Sequence, residues 1–370
     1  MNDQKGLPKH AQIYRTLARE IGAGRWRRGE RLPSEAELVV RFGVSRITVG
    51  RAVGDLQRDG LVERRAGSGT YVAAGRRGVG PSAHSFGLLI PNLGETEIFE
   101  PICQGMMASP RAREHALLWG SAADGSGTRE ERAWQLCRQY IDRGVSGVFF
   151  APLELSPDRD ELNQRIVAAL DAAGIPVVLL DRPVLPFPRR GPHDLVGIDN
   201  RRAGYLMCEH LLRLGSRRIG FLAVPDAAAT VAEREAGYRE ALYRWSAPLE
   251  RGLARRLDPA DAGQVRGFLE EERPEGIVCA NDWTAARLLH TLLGLGRRVP
   301  ADVRIVGIDD VDYARLLPVP LTTLRQPTRE IGAAALAAML DRVGQPDLPP
   351  RDILLHGELV VRQSCGSRGD

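Results

Sequence analysis

The run GVSRITVGR, residues 43–51, puts Ser45, Arg46, Ile47 and Thr48 at the mouth of a helix. Hydroxyls and free N–H groups at a helix N-terminus bind phosphate oxygens, and an arginine fork fits the O6 and N7 edge of guanine. The chemistry on offer is nucleic-acid recognition. The neighbouring residues define the elements that would present it. Ser34 caps a preceding helix, and Glu37, three residues on, closes a capping box. Leu38 and Phe42 give that helix an apolar stripe, and Gly43 ends it. Ser45 caps the next helix. At about 100° per residue, Val49, Ala52, Val53 and Leu56 share one face. Ile47, Gly50 and Arg51 take the other, with Arg46 and Thr48 at its N-terminal rim. A short helix, a tight turn and a second helix with an outward arginine is helix-turn-helix geometry.

Ile13, Leu17 and Ile21 add one stripe of an earlier helix, which Gly22 and Gly24 end. The segment LVERRAGSGTYV, residues 61–72, has two β-prone runs, Leu61–Arg64 and Thr70–Val72, around the tip Gly67-Ser68-Gly69. A hairpin with a basic strand and a glycine tip is a wing that lets its backbone approach DNA closely. Charge agrees: residues 1–80 carry 16 Lys+Arg against 8 Asp+Glu, whereas residues 81–370 carry 35 against 39. A basic head is joined to a mildly acidic body with another task.

A chain of 370 residues predicts two or three domains. The division expected is a head over 1–73, a small, basic, glycine-rich linker over 74–85, and a body over 86–365. Apolar runs stay short of the roughly 18 residues that span a bilayer, and MNDQKGLPKH lacks the apolar core of a signal peptide. The expected location is cytoplasmic, with no membrane partner. The five cysteines are scattered without a C-x-x-C pair, and Cys208 near His210 has no second ligand pair, so no metal is expected. No lysine follows Lys9, and neither a G-x-x-x-x-G-K-[ST] loop nor a G-x-S-x-G elbow occurs. Neither an enzyme nor a bound cofactor is expected.

The stretch GERLPSEAELVVRFGVSRITVGRAVGDLQRDGLVERRAGSGTYV resembles the winged-helix domain of the GntR family of bacterial transcription regulators. The resemblance implies that Arg46 reads a guanine, that Thr48 contacts the DNA backbone, and that Gly67 and Gly69, flanking Ser68, enter the minor groove. It further implies that Ser34 and Ser45 hold phosphates. That family often carries an arginine where this chain has Gly50. Either drift or tight packing accounts for the glycine, or it lets the helix sit closer in the groove. In the second case Ile47 meets a thymine methyl and Arg51 takes over a phosphate contact.

Beyond the linker, SFGLLIP, HALLWG, VSGVFFAP, IPVVLLD, DLVGID, RIGFLAV, GIVCAND and VRIVGIDD alternate with helical segments. Continuous Val/Ile/Leu strands separated by helices mean parallel sheets covered on both faces. There are too many for one modest sheet, so two doubly wound lobes are expected, with ligand at the strands' carboxyl ends. VVLLDRP, VGIDNRRAGYLMCEHLLRLGSRRIGFLAVP, EREAGYREAL, IVCANDWTAARLL and RVPADVRIVGIDDVDYARLLPVPLTTLRQP resemble the sensor domain of the LacI/GalR family, shaped like a periplasmic sugar-binding protein. With the winged head, the combination resembles the arabinose-repressor type of regulator.

The resemblance implies lobe 1 at about 86–197 and 327–350, and lobe 2 at about 198–322 and 353–365, with an effector between them. Asp181, Arg234, Asn281, Asp282 and Asp309 would bind it, with Phe99 as an apolar wall and Asn92 nearby. Asp and Asn share hydroxyl protons and Arg donates a fixed fork, which suits a polyol. Asp199, Asp282 and Asp310 are equally good as helix caps or structural pairs, and Trp283 either stacks on a sugar or belongs to the core. Arg182, Arg189 and Arg190 read as an exposed loop, with an anionic ligand as the alternative. The expected protein is a homodimeric repressor released from double-stranded operator DNA by a small sugar-like effector. The alternative is a constitutive DNA-binding regulator with a degenerate sensor.

Overall fold

A computed structural model describes residues 9–22, 25–26, 29–58, 61–65, 68–72, 83–90, 97–120 and 127–367. The chain forms two compact units, residues 1–82 and 83–370.

The first unit contains α1 (Lys9–Gly22), α2 (Glu35–Phe42), α3 (Arg46–Arg58), β1 (Val62–Arg65) and β2 (Gly69–Val72). The predicted stripes meet in one core, where Ile13, Leu17, Leu38, Val49, Ala52, Val53 and Leu56 are all buried. Ser34 and Glu37 form the expected capping box on α2, and Gly43 ends that helix at φ 62°. β1 and β2 pair antiparallel, with Val62 opposite Val72 and Arg65 opposite Gly69. The hairpin thus starts one residue later than expected on its first strand and one earlier on its second.

In the second unit, a first parallel sheet is built from β3 (Ser85–Leu89), α4 (Phe99–Ala108), β4 (Ala116–Trp119), α5 (Arg129–Arg143), β5 (Gly147–Phe150), α6 (Arg159–Ala172), β6 (Val177–Leu180) and β7 (Asp194–Ile198). The chain then passes to α7 (Asn200–Arg213), β8 (Ile219–Ala223), α8 (Ala229–Arg244), β9 (Ala254–Arg256), α9 (Ala262–Glu272), β10 (Gly276–Cys279), α10 (Asp282–Gly294), β11 (Arg304–Asp309) and β12 (Thr322–Arg325). It returns through α11 (Thr328–Gly344) to β13 (Asp352–Leu355) and ends after β14 (Glu358–Val360).

The strand orders are β13-β7-β6-β5-β3-β4 and β14-β12-β11-β10-β8-β9. Every pair is parallel except β12 with β14. These are the two doubly wound lobes, with strand interiors such as β5, β6, β8 and β10 buried throughout.

The lobe boundaries differ from expectation at the return. The sequence places residues 353–355 in lobe 2, but β13 pairs with β7 in the first sheet. The reason is local: Arg351 and Arg342 both hold Asp194 at the start of β7, which fixes the chain beside that strand before it crosses back. β12 also runs three residues past the expected end of its segment. The predicted linker falls largely on residues 73–82, outside the described ones.

Candidate functional site

On the head, the helix that carries Arg46 starts from Ser45, whose Oγ accepts the Thr48 N–H at 3.3 Å and lies 2.9 Å from the Thr48 hydroxyl. Arg46 is exposed, with its Nε 3.7 Å from Glu35. The same Glu35 accepts Arg64 of β1 at 2.7 Å, so one carboxylate lies between α3 and β1. Sequence reasoning missed both Glu35 and Arg64. A carboxylate in the first turn of α2 has the ordinary explanation of dipole stabilisation.

Ile47 is 85% exposed and Arg51 is exposed beside it, while Thr48 is half-buried. Ser34 spends its hydroxyl on Glu37, donating to the carboxylate at 2.8 Å. With the Ser34 backbone N–H, which donates to the same carboxylate at 2.7 Å, this bond holds Glu37 below the usual carboxylate range. At the wing, Ser68 Oγ is 2.6 Å from the Tyr71 hydroxyl. Gly69 has φ 118°, and a Cβ there would come within 2.8 Å of Arg31. Gly67 lies outside the described residues. Tight packing does not explain Gly50, because a Cβ there would meet only Glu35 Oε1, at 4.0 Å.

In the body, the candidate residues collect where strands end. Asp181 follows β6 with φ 67°, and Asp309 closes β11 with φ 133°. Left-handed backbone at non-glycine residues is costly and persists where the surroundings over-determine it, commonly at ligand sites. Arg234 sits on α8, which crosses α7 at Gly204 and Gly237. A Cβ at Gly204 would overlap the Arg234 carbonyl, so this crossing fixes where Arg234 starts.

The buried Arg234 donates to Asn200 Oδ1 at 2.8 Å and to the Ala280 carbonyl at 2.6 Å, and reaches Asp309 at 3.7 Å. Gln326 donates to Asp309 Oδ1 at 2.7 Å. Burial raises the Asp309 carboxyl well above its ordinary value. Arg234 and Gln326 oppose the rise, while Asp181 and Glu154 add to it. Arg182 is buried between Glu154 at 2.5 Å and Asp181 at 2.9 Å. The exposed-loop reading therefore fails for Arg182, although Arg190 does sit at the surface, paired with Asp352. Glu154 had no motif to reveal it, and Arg182 and Gln326, though inside VVLLDRP and TLRQP, were not singled out as partners of Asp181 and Asp309; the fold brings them there.

A cavity of about 460 Å³ opens here, lined by Glu97, Glu154, Asn281, Trp283, Asp309 and Tyr313 among others. Trp283 is 41% exposed, with Arg287 stacked 4.7 Å from its ring, so it is a cleft residue and not core. Asn281 lines the cavity and also caps α10 by accepting the Thr284 N–H at 2.9 Å. Two expected binders are placed elsewhere. Phe99 is buried in the lobe core beneath Arg182, whose guanidinium lies 5.5 Å from its ring. Asp282 is fully buried, accepting the Thr323 hydroxyl at 2.6 Å and the Val311 N–H at 3.1 Å.

Burial, then the Asp309 charge, raise the Asp282 carboxyl strongly. Its role is to hold the segment that carries Val311 and Tyr313 into the cavity. Asp199 caps α7 and Asp310 pairs with Arg325 and Arg362, the structural alternatives for both. Asn92 lies outside the described residues. Asp181 Oδ1, Gln326 Oε1 and Thr284 Oγ are buried without a hydrogen-bond partner. Such atoms are rare in native interiors and mark places for a ligand or water. Among the described residues, no group of three or more His, Cys, Asp or Glu is arranged to hold a metal, and no helix is long and apolar enough to cross a membrane.

Residues 9–72 match the bacterial regulatory proteins of the gntR family, and residues 208–365 match a periplasmic binding protein-like domain. The arabinose metabolism transcriptional repressor of Geobacillus stearothermophilus is 28% identical over 98% of this chain and 98% of its own. The HTH-type transcriptional regulator CelR of Thermobifida fusca is 32% identical, over 70% of this chain and 73% of its own. A solved complex of the transcriptional regulator CelR with cellobiose superposes with a TM-score of 0.64 at 25% identity, covering 87% of this chain and 91% of that one.

Proposed function

Because the chain belongs to the bacterial HTH-type transcriptional regulators that join a gntR-type DNA-binding domain to a LacI-like, periplasmic-binding-protein-like domain, we propose that it is a repressor whose operator affinity is set by a sugar or sugar-like effector. The relatives are regulators, not enzymes. The observation that carries the effector reading is the Asp309–Arg234–Gln326 cluster at the wall of a cavity of about 460 Å³. Carboxylates and amides with open acceptor positions suit a ligand rich in hydroxyl donors. The names of the relatives, an arabinose repressor and a cellobiose-bound regulator, support a carbohydrate class.

In this reading Arg46 reads a base, with Thr48, Ser45, Arg51 and Ile47 around it. Ser34 holds a phosphate, and Gly67, Ser68 and Gly69 at the wing tip enter the minor groove. A homodimer presents two heads to a near-palindromic operator. The effector binds one arrangement of the lobes more tightly than the other and thereby releases the operator; equal affinity for both would shift nothing.

The test is a thermal-shift screen of the purified protein against monosaccharides, disaccharides, sugar acids, sugar phosphates and nucleosides, followed by operator binding with each hit. A ligand at about 100 times its Kd stabilises the folded body by roughly 2.7 kcal/mol. A hit that lowers operator affinity supports the proposal. Ligands that bind and leave operator affinity unchanged would establish the constitutive alternative instead.

A further inference from the structure

We infer that the two lobes are clasped directly to each other by Leu155 and Arg159 of lobe 1 meeting Asp226 of lobe 2, so that the chain itself supplies part of the closure that an effector would otherwise drive. The clasp stands on its own geometry, and its consequence for the operator rests on the proposed effector-driven release. The Leu155 N–H, in the loop between β5 and α6, donates at 2.9 Å to the carbonyl of Asp226, in the loop between β8 and α8. Arg159, in the first turn of α6, donates its guanidinium to the same carbonyl and lies 4.0 Å from the Asp226 carboxylate. It is half-buried, which partly shields these contacts from water.

Both ends of the clasp have left-handed backbone, Leu155 at φ 60° and Asp226 at φ 53°. For a leucine that conformation is costly, and it persists where the neighbours dictate it. On lobe 1 they do. Asn163 of α6 binds both the N–H and the carbonyl of Leu153, at 2.8 and 3.0 Å. Arg182 holds the Glu154 carboxylate at 2.5 Å, and Arg129 donates to the Glu154 carbonyl at 3.4 Å. Three side chains thus fix the two residues before Leu155 and aim its N–H at lobe 2. Asp309, Arg234 and Gln326 contribute no atom to the clasp, so it acts alongside the effector contacts and not through them. A ligand held by residues of both lobes and the clasp favour the same closed arrangement. The apparent affinity for such a ligand rises with the fraction of molecules already in the binding arrangement. The clasp therefore sets how much effector the switch needs.

The experiment is hydrogen exchange resolved to single amides on the full chain, with no sugar added. The acceptor of the Leu155 N–H lies in the other lobe, so the exchange of this amide reports separation of the lobes. It is expected to be protected in the native chain and to exchange about ten-fold faster in Arg159→Ala, while amides in the later turns of α6 keep their rates. Asp160→Ala removes an exposed carboxylate 3.4 Å from Arg159 without touching the clasp, and should leave the Leu155 amide protected. Dyes on Ala173→Cys of lobe 1 and Arg266→Cys of lobe 2, both exposed whereas the five native cysteines are buried, should show a different separation once Arg159→Ala is added. A Leu155 amide that exchanges freely in the native chain, or is equally protected in Arg159→Ala, overturns the clasp. So does an unchanged dye separation, or an acceleration that spreads through α6 and makes Arg159 a stabiliser of lobe 1 alone. The expected exchange and dye results, together with an operator affinity that no sugar alters, would leave the clasp standing and remove the sugar effector instead.

Discussion

Arg234 on α8 and Asp309 at the end of β11 face each other at 3.7 Å, both buried, and neither satisfies the other. Arg234 gives its shorter bonds to Asn200 and Ala280, and Asp309 takes its own from Gln326. The pair is held apart by scaffolding on each side, which leaves acceptor positions on Asp309 for a hydroxyl. Asp309→Asn keeps the shape and removes the charge. It is expected to weaken effector binding by at least about tenfold, ~1.4 kcal/mol, with operator affinity unchanged. Titration calorimetry and DNA-binding anisotropy on one preparation check both halves. Undiminished effector binding would remove Asp309 from the site.

The sequence made the elements legible because their periods are clean. Val49, Ala52, Val53 and Leu56 lie on one helical face, and runs such as VVLL and IGFLA are buried strands. The lobe return was not legible, because DILL and ELV are short strands on sheet edges, and the Asp194 contacts that help set DILL beside β7 come from far away in the chain. Asp309 and Arg234 stood at motif positions. Arg182 stood in VVLLDRP too, but its burial was hidden, since it depends on Glu154, 28 residues earlier. Asp282 was ambiguous because an aspartate opening a helix reads alike whether its carboxylate faces a ligand or a neighbouring strand. Thr323 settles it.

Gly50 lies inside α3, where a Cβ would meet nothing nearer than Glu35 Oε1 at 4.0 Å. Alanine there removes the entropic cost of a helical glycine, about 1 kcal/mol. Gly50→Ala is therefore expected to slow hydrogen exchange along α3 and leave operator affinity unchanged. Slower exchange accompanied by weaker binding would show instead that the glycine is needed for close approach to the groove.

Arg46 is 82% exposed and tethered only loosely by Glu35, so its removal leaves the fold of the head intact. Arg46→Ala is expected to cost about 1–3 kcal/mol of operator affinity and to relax selectivity at one base pair. Arg51→Ala, by contrast, should weaken all sequences alike and lower the salt dependence. Anisotropy titrations against an operator and its single-base variants separate the two. A uniform loss from Arg46→Ala would make it a phosphate contact.

Asp194 opens β7 with no exposed surface, and receives Arg342 at 2.9 Å and Arg351 at 3.0 Å. Burial alone would raise its carboxyl, but the two guanidiniums outweigh that and hold it below its ordinary value of 3.8. A carboxylate depressed in the folded state contributes stability that is present above its unfolded pKa and is lost as pH falls through the folded one. The loss therefore falls below pH 3.8. Asp194→Asn leaves both arginines short of a partner and is expected to cost about 3 kcal/mol at neutral pH. The difference in Tm between the two proteins should then narrow as the pH is taken below that value, because the native carboxylate loses its charge there as well. A difference that stays constant into strong acid would mean that the contribution of Asp194 comes from its hydrogen bonds and shape rather than from its charge.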